Sequence, residues 1–180
     1  NDKIYPFSRD SKSIYKIDLK KPSTFNLVNN SKFLIVSFAP IWDFSYFLNY
    51  LFENEKNKLQ NLKGIIACSS TSALTKRFES NDFDKNLSLN LIRSEEKLIE
   101  IANGLKISCQ IIRPTLIYGS IKGLRDKNIS KILLIMRTLK LIVLPSNTGF
   151  RQPIHILQLA EVVYFLMIKS LDYKEMPKIN

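Results

Sequence analysis

The chain has 180 residues, of which 45% are hydrophobic and 24% charged, as expected for one globular domain with a buried core. Its 27 Lys and Arg residues outnumber 16 Asp and Glu residues, and the net charge of +11 favours anionic partners. The basic residues are scattered and form no stripe with aromatic residues between them, which argues against binding to nucleic acid. No apolar run reaches the roughly 18 residues of a membrane-spanning helix, so we expect no membrane span.

Apolar segments with strand-like and helix-like patterns alternate along the chain. The run at 32–40 is rich in β-branched and aromatic residues, which predicts a buried strand. The segment 90–104 has apolar residues on one helical face and ends at Gly104, which predicts an amphipathic helix with a glycine C-cap. In chain order, we predict strands at 3–7, 14–17, 32–40, 64–68 and 108–112, and helices at 42–54, 90–104, 129–142 and 158–170. Such an alternation indicates an α/β fold with a parallel sheet.

Three of the predicted strands end in small, hydroxyl or charged residues. They are SFAP at 37–40, SSTS at 69–72 and RPT at 113–115. Because ligands of parallel sheets bind beyond the carboxyl ends of the strands, these ends predict one ligand cleft. A dinucleotide fold also needs a glycine-rich turn after its first strand, and the five glycines form no such turn. We therefore expect that this turn precedes Asn1.

The two cysteines and the single histidine give little support to metal or disulfide chemistry. Cys68 and Cys109 both lie inside apolar runs, where thiols are more often core residues than disulfide partners or metal ligands. His155 alone argues against a histidine-based metal site. We expect no metal and a reducing, cytoplasmic location.

Several motifs occur in the order and spacing of one known family. SRD at 8–10 follows a strand, SSTS follows the strand at 64–68, and RPTLIYG at 113–119 is followed by RQPIHI at 151–156. The chain thereby resembles the NAD-dependent epimerase/dehydratase proteins, extended or atypical short-chain dehydrogenases that act on nucleotide sugars. The resemblance implies a Rossmann-like doubly wound parallel sheet with strand order 3-2-1-4-5-6.

The resemblance also implies how the domain is divided and where it is incomplete. Residues 1–180 would form a single NAD(P)-binding domain, and the substrate-binding part would begin at about 143. The sheet would be incomplete at the N-terminus, because the first strand, its glycine loop and one helix, a piece of about 30 residues, would precede Asn1.

The resemblance assigns roles to individual residues. The cofactor contacts that it implies are Arg9, Asp18, Ala39, Pro40, Arg113 and Pro114. The substrate contacts that it implies are Thr71, Arg151 and His155. Arg151 would bind the pyrophosphate of a nucleotide sugar, whereas His155 would order its loop by hydrogen bonds.

Ser70 and Arg9 each have an alternative interpretation. The resemblance implies that Ser70 hydrogen-bonds the substrate oxygen that gains or loses a proton. Its hydroxyl could instead satisfy backbone groups at a strand end. Arg9 follows the second strand of the family's order, where a guanidinium matches the 2′-phosphate of NADP, so NADP is favoured over NAD. The alternative is an arginine in a solvated turn.

The family's catalytic Tyr-x-x-x-Lys is not found at its expected place. When Arg93 and Ser94 are aligned with the usual context, Leu91 stands in place of Tyr and Glu95 in place of Lys. Leucine cannot transfer a proton, so Lys76 and Glu95 become candidate catalytic residues beside Ser70. Lys76 could reach back into the cleft, and Glu95 could be a base or an ion-pair partner of Lys76. The alternative for both is a side chain that faces water.

Three interpretations of the function remain open at this point. The first is a nucleotide-sugar epimerase/dehydratase-like oxidoreductase that uses NAD(P), with a nucleotide sugar as its small-molecule substrate. The second is a non-catalytic Rossmann-fold protein that binds a nucleotide or a partner and has lost the Tyr-x-x-x-Lys pair. The third is a peripheral membrane-associated protein that uses its basic surface. A homodimer is compatible with each of them.

Overall fold

A computed structural model describes residues 3–10, 13–25, 31–78, 80–121, 124–126, 129–141 and 152–172. The strands are β1 (Phe7–Ser8), β2 (Tyr15–Lys16), β3 (Phe33–Ser37), β4 (Leu62–Cys68), β5 (Ser108–Ile112), β6 (Ile117–Tyr118), β7 (Ser120–Ile121), β8 (Leu124–Arg125) and β9 (Ile154–His155). The α-helices are α1 (Ile41–Asn54), α2 (Ser72–Thr75), α3 (Asp82–Leu105), α4 (Ile129–Leu139) and α5 (Ile156–Asp172). Two 3-10 helices span Pro22–Thr24 and Lys56–Leu59.

The main sheet has three parallel strands in the order β3-β4-β5. Ile65 in the middle of β4 lies opposite Ile35 of β3 and Cys109 of β5. Ile65 and its neighbour Ile66 point to opposite faces of the sheet, and both are buried, so β4 is covered on both faces. The apolar run at 65–68 in β4 follows from this double burial.

The hydrophobic core lies between the sheet and the packed pair α1 and α3. Both helices are crossovers between neighbouring parallel strands, and right-handed crossovers of this kind lie on the same face of a sheet. Phe44, Leu48 and Leu51 of α1 meet Leu98 and Ile101 of α3 in this core. Each of these buried side chains contributes about 1.5–3 kcal/mol through removal from water. Helix α5 contacts β4 as well.

Helix α3 is longer than the sequence pattern predicts, and its predicted cap is wrong. The helix begins at Asp82, where the side chain of Asn81 accepts a hydrogen bond from the backbone N–H of Phe83 at 2.9 Å. It ends at Leu105, and Lys106 adopts the left-handed conformation of a C-cap residue. Gly104 lies inside the helix, where a Cβ atom would come within 2.8 Å of the Phe52 ring. The glycine thus permits close packing of α3 on α1.

The N-terminal strands form a small parallel pair, in which Phe7 of β1 lies opposite Tyr15 of β2. Each strand has two residues and is shorter than predicted. An aromatic chain connects the pair to the core, because Phe25 contacts both Phe7 and Phe47 of α1. The described β1–β2 pair is not hydrogen-bonded to the three-stranded sheet. The parallel sheet β3-β4-β5 and its helical crossovers confirm the α/β class, whereas the six-strand order of a Rossmann-like sheet stays a prediction.

The C-terminal part of the described chain contains short strands and two further helices. β6 pairs with β9 in parallel, and β7 pairs with β8 in antiparallel orientation. Residues 143–151 of the expected substrate-binding part lie outside the described residues, and so do 173–180. Within the described ranges, no helix has both the length and the apolar character needed to cross a membrane.

Candidate functional site

The carboxyl ends of β4 and β5 are joined by backbone hydrogen bonds beyond the last residues of the strands. Ser69 N–H donates to the carbonyl of Ile112 at 2.7 Å, and Thr71 N–H donates to the carbonyl of Pro114 at 3.3 Å. The hydroxyl cluster therefore lies beside the Arg113–Pro114 segment, as expected for neighbouring parallel strands. The end of β3 lies at the same edge, because Ser37 is opposite Ala67 in the register.

Ser70 lies two residues before the short helix α2. Its hydroxyl oxygen accepts the backbone N–H of Ser72 at 3.2 Å, and its carbonyl accepts the N–H of Ala73 at 3.1 Å. These bonds match the turn-forming alternative for this residue. A hydroxyl that accepts one hydrogen bond still has its own proton to donate. Ser70 is half-buried at the sheet edge, so this geometry is also compatible with donation to a ligand oxygen.

Glu95 is the most deeply buried charged side chain at this edge, with 3% of its surface exposed. Its carboxylate accepts the hydroxyl of Ser69, and Arg113 Nε lies 3.0 and 3.1 Å from its two oxygens. Arg113 Nη2 completes the ion pair. The hydrogen bond to Glu95 raises the pKa of Arg113 above its ordinary value. The cluster of Ser69, Glu95 and Arg113 ties α3 to the ends of β4 and β5.

The ion pair between Lys76 and Glu95, one of the two roles considered for Glu95, is not formed. Lys76 Nζ instead pairs with Asp84 in the first turn of α3, and Glu95 pairs with Arg113. Glu95 and Lys76 are therefore both occupied by oppositely charged partners. Leu91, which stands in place of the family's tyrosine, is 4% exposed and belongs to the hydrophobic core.

Sequence reasoning did not find the Glu95–Arg113 pair, although the helix pattern contains a signal for it. Glu95 follows Leu91 by four residues and precedes Leu98 by three, so it lies on the apolar stripe of α3. An acidic residue on a buried stripe requires a cation or several donors beside it. The pattern therefore indicates a buried polar cluster, but it does not identify Arg113 as the partner.

Two of the predicted cofactor residues line a common cleft in the N-terminal part. Arg9 and Asp18 line an open surface cleft of about 380 Å³, and most of its lining side chains are exposed to solvent. The complete lining is Arg9, Lys16, Ile17, Asp18, Lys21 and Thr24. Asp18 Oδ1 accepts the backbone N–H of Lys20 at 3.0 Å, which fixes the turn after β2. Three basic side chains around one carboxylate make the cleft electropositive.

Ala39, Pro40 and Thr71 follow strands at the carboxyl edge of the main sheet. Ala39 and Pro40 connect β3 to α1, and the carbonyl of Pro40 accepts the N–H groups of Asp43 and Phe44 at 3.0 and 3.1 Å. Thr71 belongs to the turn after β4 and therefore lies near the Arg113–Pro114 segment.

His155 lies in β9, and its ring makes an edge contact with Tyr118 at 5.1 Å between centroids. Its Nδ1 accepts the N–H of Leu157 at 3.3 Å, consistent with a role in ordering this loop. Arg151 lies outside the described residues. In the part of the chain that the structure describes, no group of three or more His, Cys, Asp or Glu side chains is arranged to hold a metal ion.

The fold and these contacts define an α/β protein with a polar, partly charged edge on a parallel sheet. No protein-family model, curated protein or solved structure gives a significant match to this chain. The resemblance to the epimerase/dehydratase proteins therefore rests on the sequence motifs.

Proposed function

We propose that this chain binds a dinucleotide cofactor, NADP in preference to NAD, as part of an epimerase/dehydratase-like protein. The observation that carries the proposal is the cleft shared by Arg9 and Asp18. These residues lie nine positions apart on different strand ends, and the motif resemblance assigns both of them to the adenosine half of the cofactor.

The charges of the cleft match the adenosine end of NADP. A 2′-phosphate is a compact anion, and Arg9 can bind it with two parallel N–H donors while Lys16 and Lys21 add positive charge. Asp18 supplies an acceptor, which suits the exocyclic amine of adenine. A hydrogen bond to a charged group is worth about 1.5–3 kcal/mol, enough for a tenfold or greater preference for the phosphorylated nucleotide.

The packing of α3 favours the non-catalytic form of this protein. Proton transfer in the family needs a tyrosine beside a lysine, but Leu91 is a core residue and Glu95 is held by Ser69 and Arg113. Lys76 is neutralised by Asp84. Nucleotide binding without tyrosine-dependent hydride transfer is therefore the better supported function.

A catalytic form is the second candidate, and the half-buried Ser70 at the sheet edge favours it. In this form a hydride passes between a sugar carbon and the nicotinamide ring, and the Ser70 hydroxyl hydrogen-bonds the sugar oxygen. The assay is turnover of a panel of UDP-sugars by the full-length protein with NADP or NAD. We expect turnover, if it occurs, to fall in Ser70→Ala, and unchanged turnover would remove Ser70 from this role.

A variant at Arg9 tests the cofactor proposal. We expect Arg9→Ala to weaken NADP binding by about tenfold and to leave NAD binding nearly unchanged, because only NADP carries the 2′-phosphate. Arg77→Ala is the matched control, since Arg77 is an exposed arginine outside the cleft. Equal losses in the two variants would point to general charge attraction and contradict the proposal.

A further inference from the structure

Helix α4 has an apolar composition and no buried residue. Six of its large apolar side chains are between 41% and 67% exposed: Ile132, Leu133, Leu134, Ile135, Met136 and Leu139. A continuous apolar surface of this kind is unusual on a protein that meets only water, and it marks an interaction site.

The apolar residues of α4 are concentrated on one side. Ile129, Ile132, Leu133 and Met136 follow the i, i+3, i+4, i+7 spacing of one helical face, and Ile135 and Leu139 widen it. Ser130, Lys131, Arg137 and Thr138 lie on the other side. Leu134 is the one large apolar residue outside the main face.

The start of α4 is hydrogen-bonded through Asp126 to the turn after β6. The carboxylate of Asp126 accepts the backbone N–H of Ser130 at 3.0 Å and its hydroxyl at 2.8 Å. The same carboxylate accepts the N–H of Gly119 at 3.4 Å, and Asp126 N–H donates to the Gly119 carbonyl at 3.1 Å. The helix is thus held at its N-terminal end, with its apolar face exposed along its length.

The charge of the helix identifies the partner. The helix contains no acidic residue, its polar side carries Lys131 and Arg137, and Lys140 follows directly. A second copy of this chain would bring a net charge of +11 towards another +11. An anionic lipid surface, in contrast, accepts apolar side chains and attracts basic ones, by about 1 kcal/mol per Lys or Arg in the general case.

We infer that α4 binds the surface of a bilayer that contains anionic lipids. The helix is about 16 Å long, roughly half the thickness of the hydrocarbon core, so it lies along the interface with its apolar face in the acyl boundary. Lys131 and Arg137 then meet the lipid headgroups. This interaction is independent of the Arg9–Asp18 cleft.

Co-sedimentation of the full-length protein with vesicles tests the inference. The two preparations are phosphatidylcholine alone and phosphatidylcholine with phosphatidylserine. We expect binding to the second preparation only, and a loss of binding as salt is added, because screening weakens attraction between separated charges. Equal binding to both preparations, or binding to neither, would overturn the inference.

Matched variants locate the binding surface. Leu133→Asp should weaken vesicle binding at least about tenfold, because a charge replaces an inserted side chain. Leu89→Asp on α3 is the control, since Leu89 is 46% exposed and Leu133 is 45% exposed. Equal effects of the two substitutions would overturn the assignment to α4.

A charge-reversal variant keeps the test decisive if Leu133→Asp perturbs the fold. Lys131→Glu with Arg137→Glu leaves the apolar face intact and should also weaken binding at least about tenfold. Sedimentation velocity measures the oligomeric state and so tests whether a second copy of this chain, instead of a lipid surface, covers α4. A dimer that Leu133→Asp dissociates, without vesicle binding by the wild type, would overturn the inference.

Discussion

Substitution of Glu95 tests whether the buried cluster holds α3 to the sheet edge. Glu95→Gln keeps the size of the side chain but removes the charge that pairs with Arg113. It also turns one amide NH₂ towards a region that already contains the donors of Arg113 and Ser69. Glu96→Gln is the matched control, because Glu96 is the exposed neighbour on the same helix.

The expected loss of unfolding free energy in Glu95→Gln follows from the burial of the ion pair. Breaking a fully buried ion pair by removing one partner costs about 3–5 kcal/mol. The Arg113 side chain is 37% exposed and can be partly rehydrated, so the cost is reduced to about 2–3 kcal/mol. The control should change the free energy of unfolding by less than about 0.5 kcal/mol, as is usual for surface substitutions.

Urea denaturation followed by far-UV circular dichroism measures both variants. We expect the midpoint of Glu95→Gln to fall with little change in the slope of the transition, since the exposed surface on unfolding is the same. A double-mutant cycle with Arg113→Met should show that the two residues are coupled, because residues in contact have interaction energies of about 0.5–3 kcal/mol. The reasoning is refuted if Glu95→Gln is as stable as Glu96→Gln.

Three further predictions concern the sheet, a thiol and the start of α4. Gly64→Ala should destabilise the fold by about 1–3 kcal/mol in urea denaturation, because the new Cβ would lie 2.6 Å from Ser108 Oγ. Adding Ser108→Ala should restore part of this loss. A Gly64→Ala variant as stable as the wild type would contradict this packing. Burial raises the pKa of Cys109 to about 11. Alkylation of Cys109 at pH 8 should therefore be roughly a hundredfold slower in the native protein than in urea, as measured by peptide mass spectrometry. Equal alkylation rates would refute the burial of this thiol. The Ser130 N–H lowers the pKa of Asp126, so the carboxylate stabilises α4 above about pH 4 and this stabilisation is lost as the pH falls through the lowered pKa. Acid titrations followed by circular dichroism should therefore differ between wild type and Asp126→Asn, and superimposable titrations would contradict the capping role.

The main sheet and its two large helices could be predicted because burial gives their sequences a clear period. β5 has the predicted bounds, and α1 begins one residue before the predicted helix. The start of α3 could not be predicted from the apolar pattern, because Phe83 and Leu89 near its beginning are exposed. The signals there are the Asn81 cap and the acidic residues of the first turn, which do not contribute to hydrophobic periodicity.

The sequence predicted that polar strand ends lie side by side, but it did not predict the contacts between their side chains. The polar strand ends indicated one edge of the sheet, and the hydrogen bonds from Ser69 and Thr71 to the segment after β5 confirm that two of these ends are adjacent. The pairing of Glu95 with Arg113 joins residues 18 positions apart on different elements. Such a partner is fixed by the packing of α3 on the sheet, which one sequence does not encode in any local pattern.

The most direct measurement is a calorimetric titration of the full-length protein with 2′,5′-ADP, which carries the 2′-phosphate of NADP, and with 5′-AMP, which lacks it. The electropositive cleft of Arg9, Lys16 and Lys21 predicts that 2′,5′-ADP binds at least about tenfold more tightly, with a difference that shrinks as salt is added. Equal affinities, or no binding of either nucleotide, would contradict the proposed recognition of NADP.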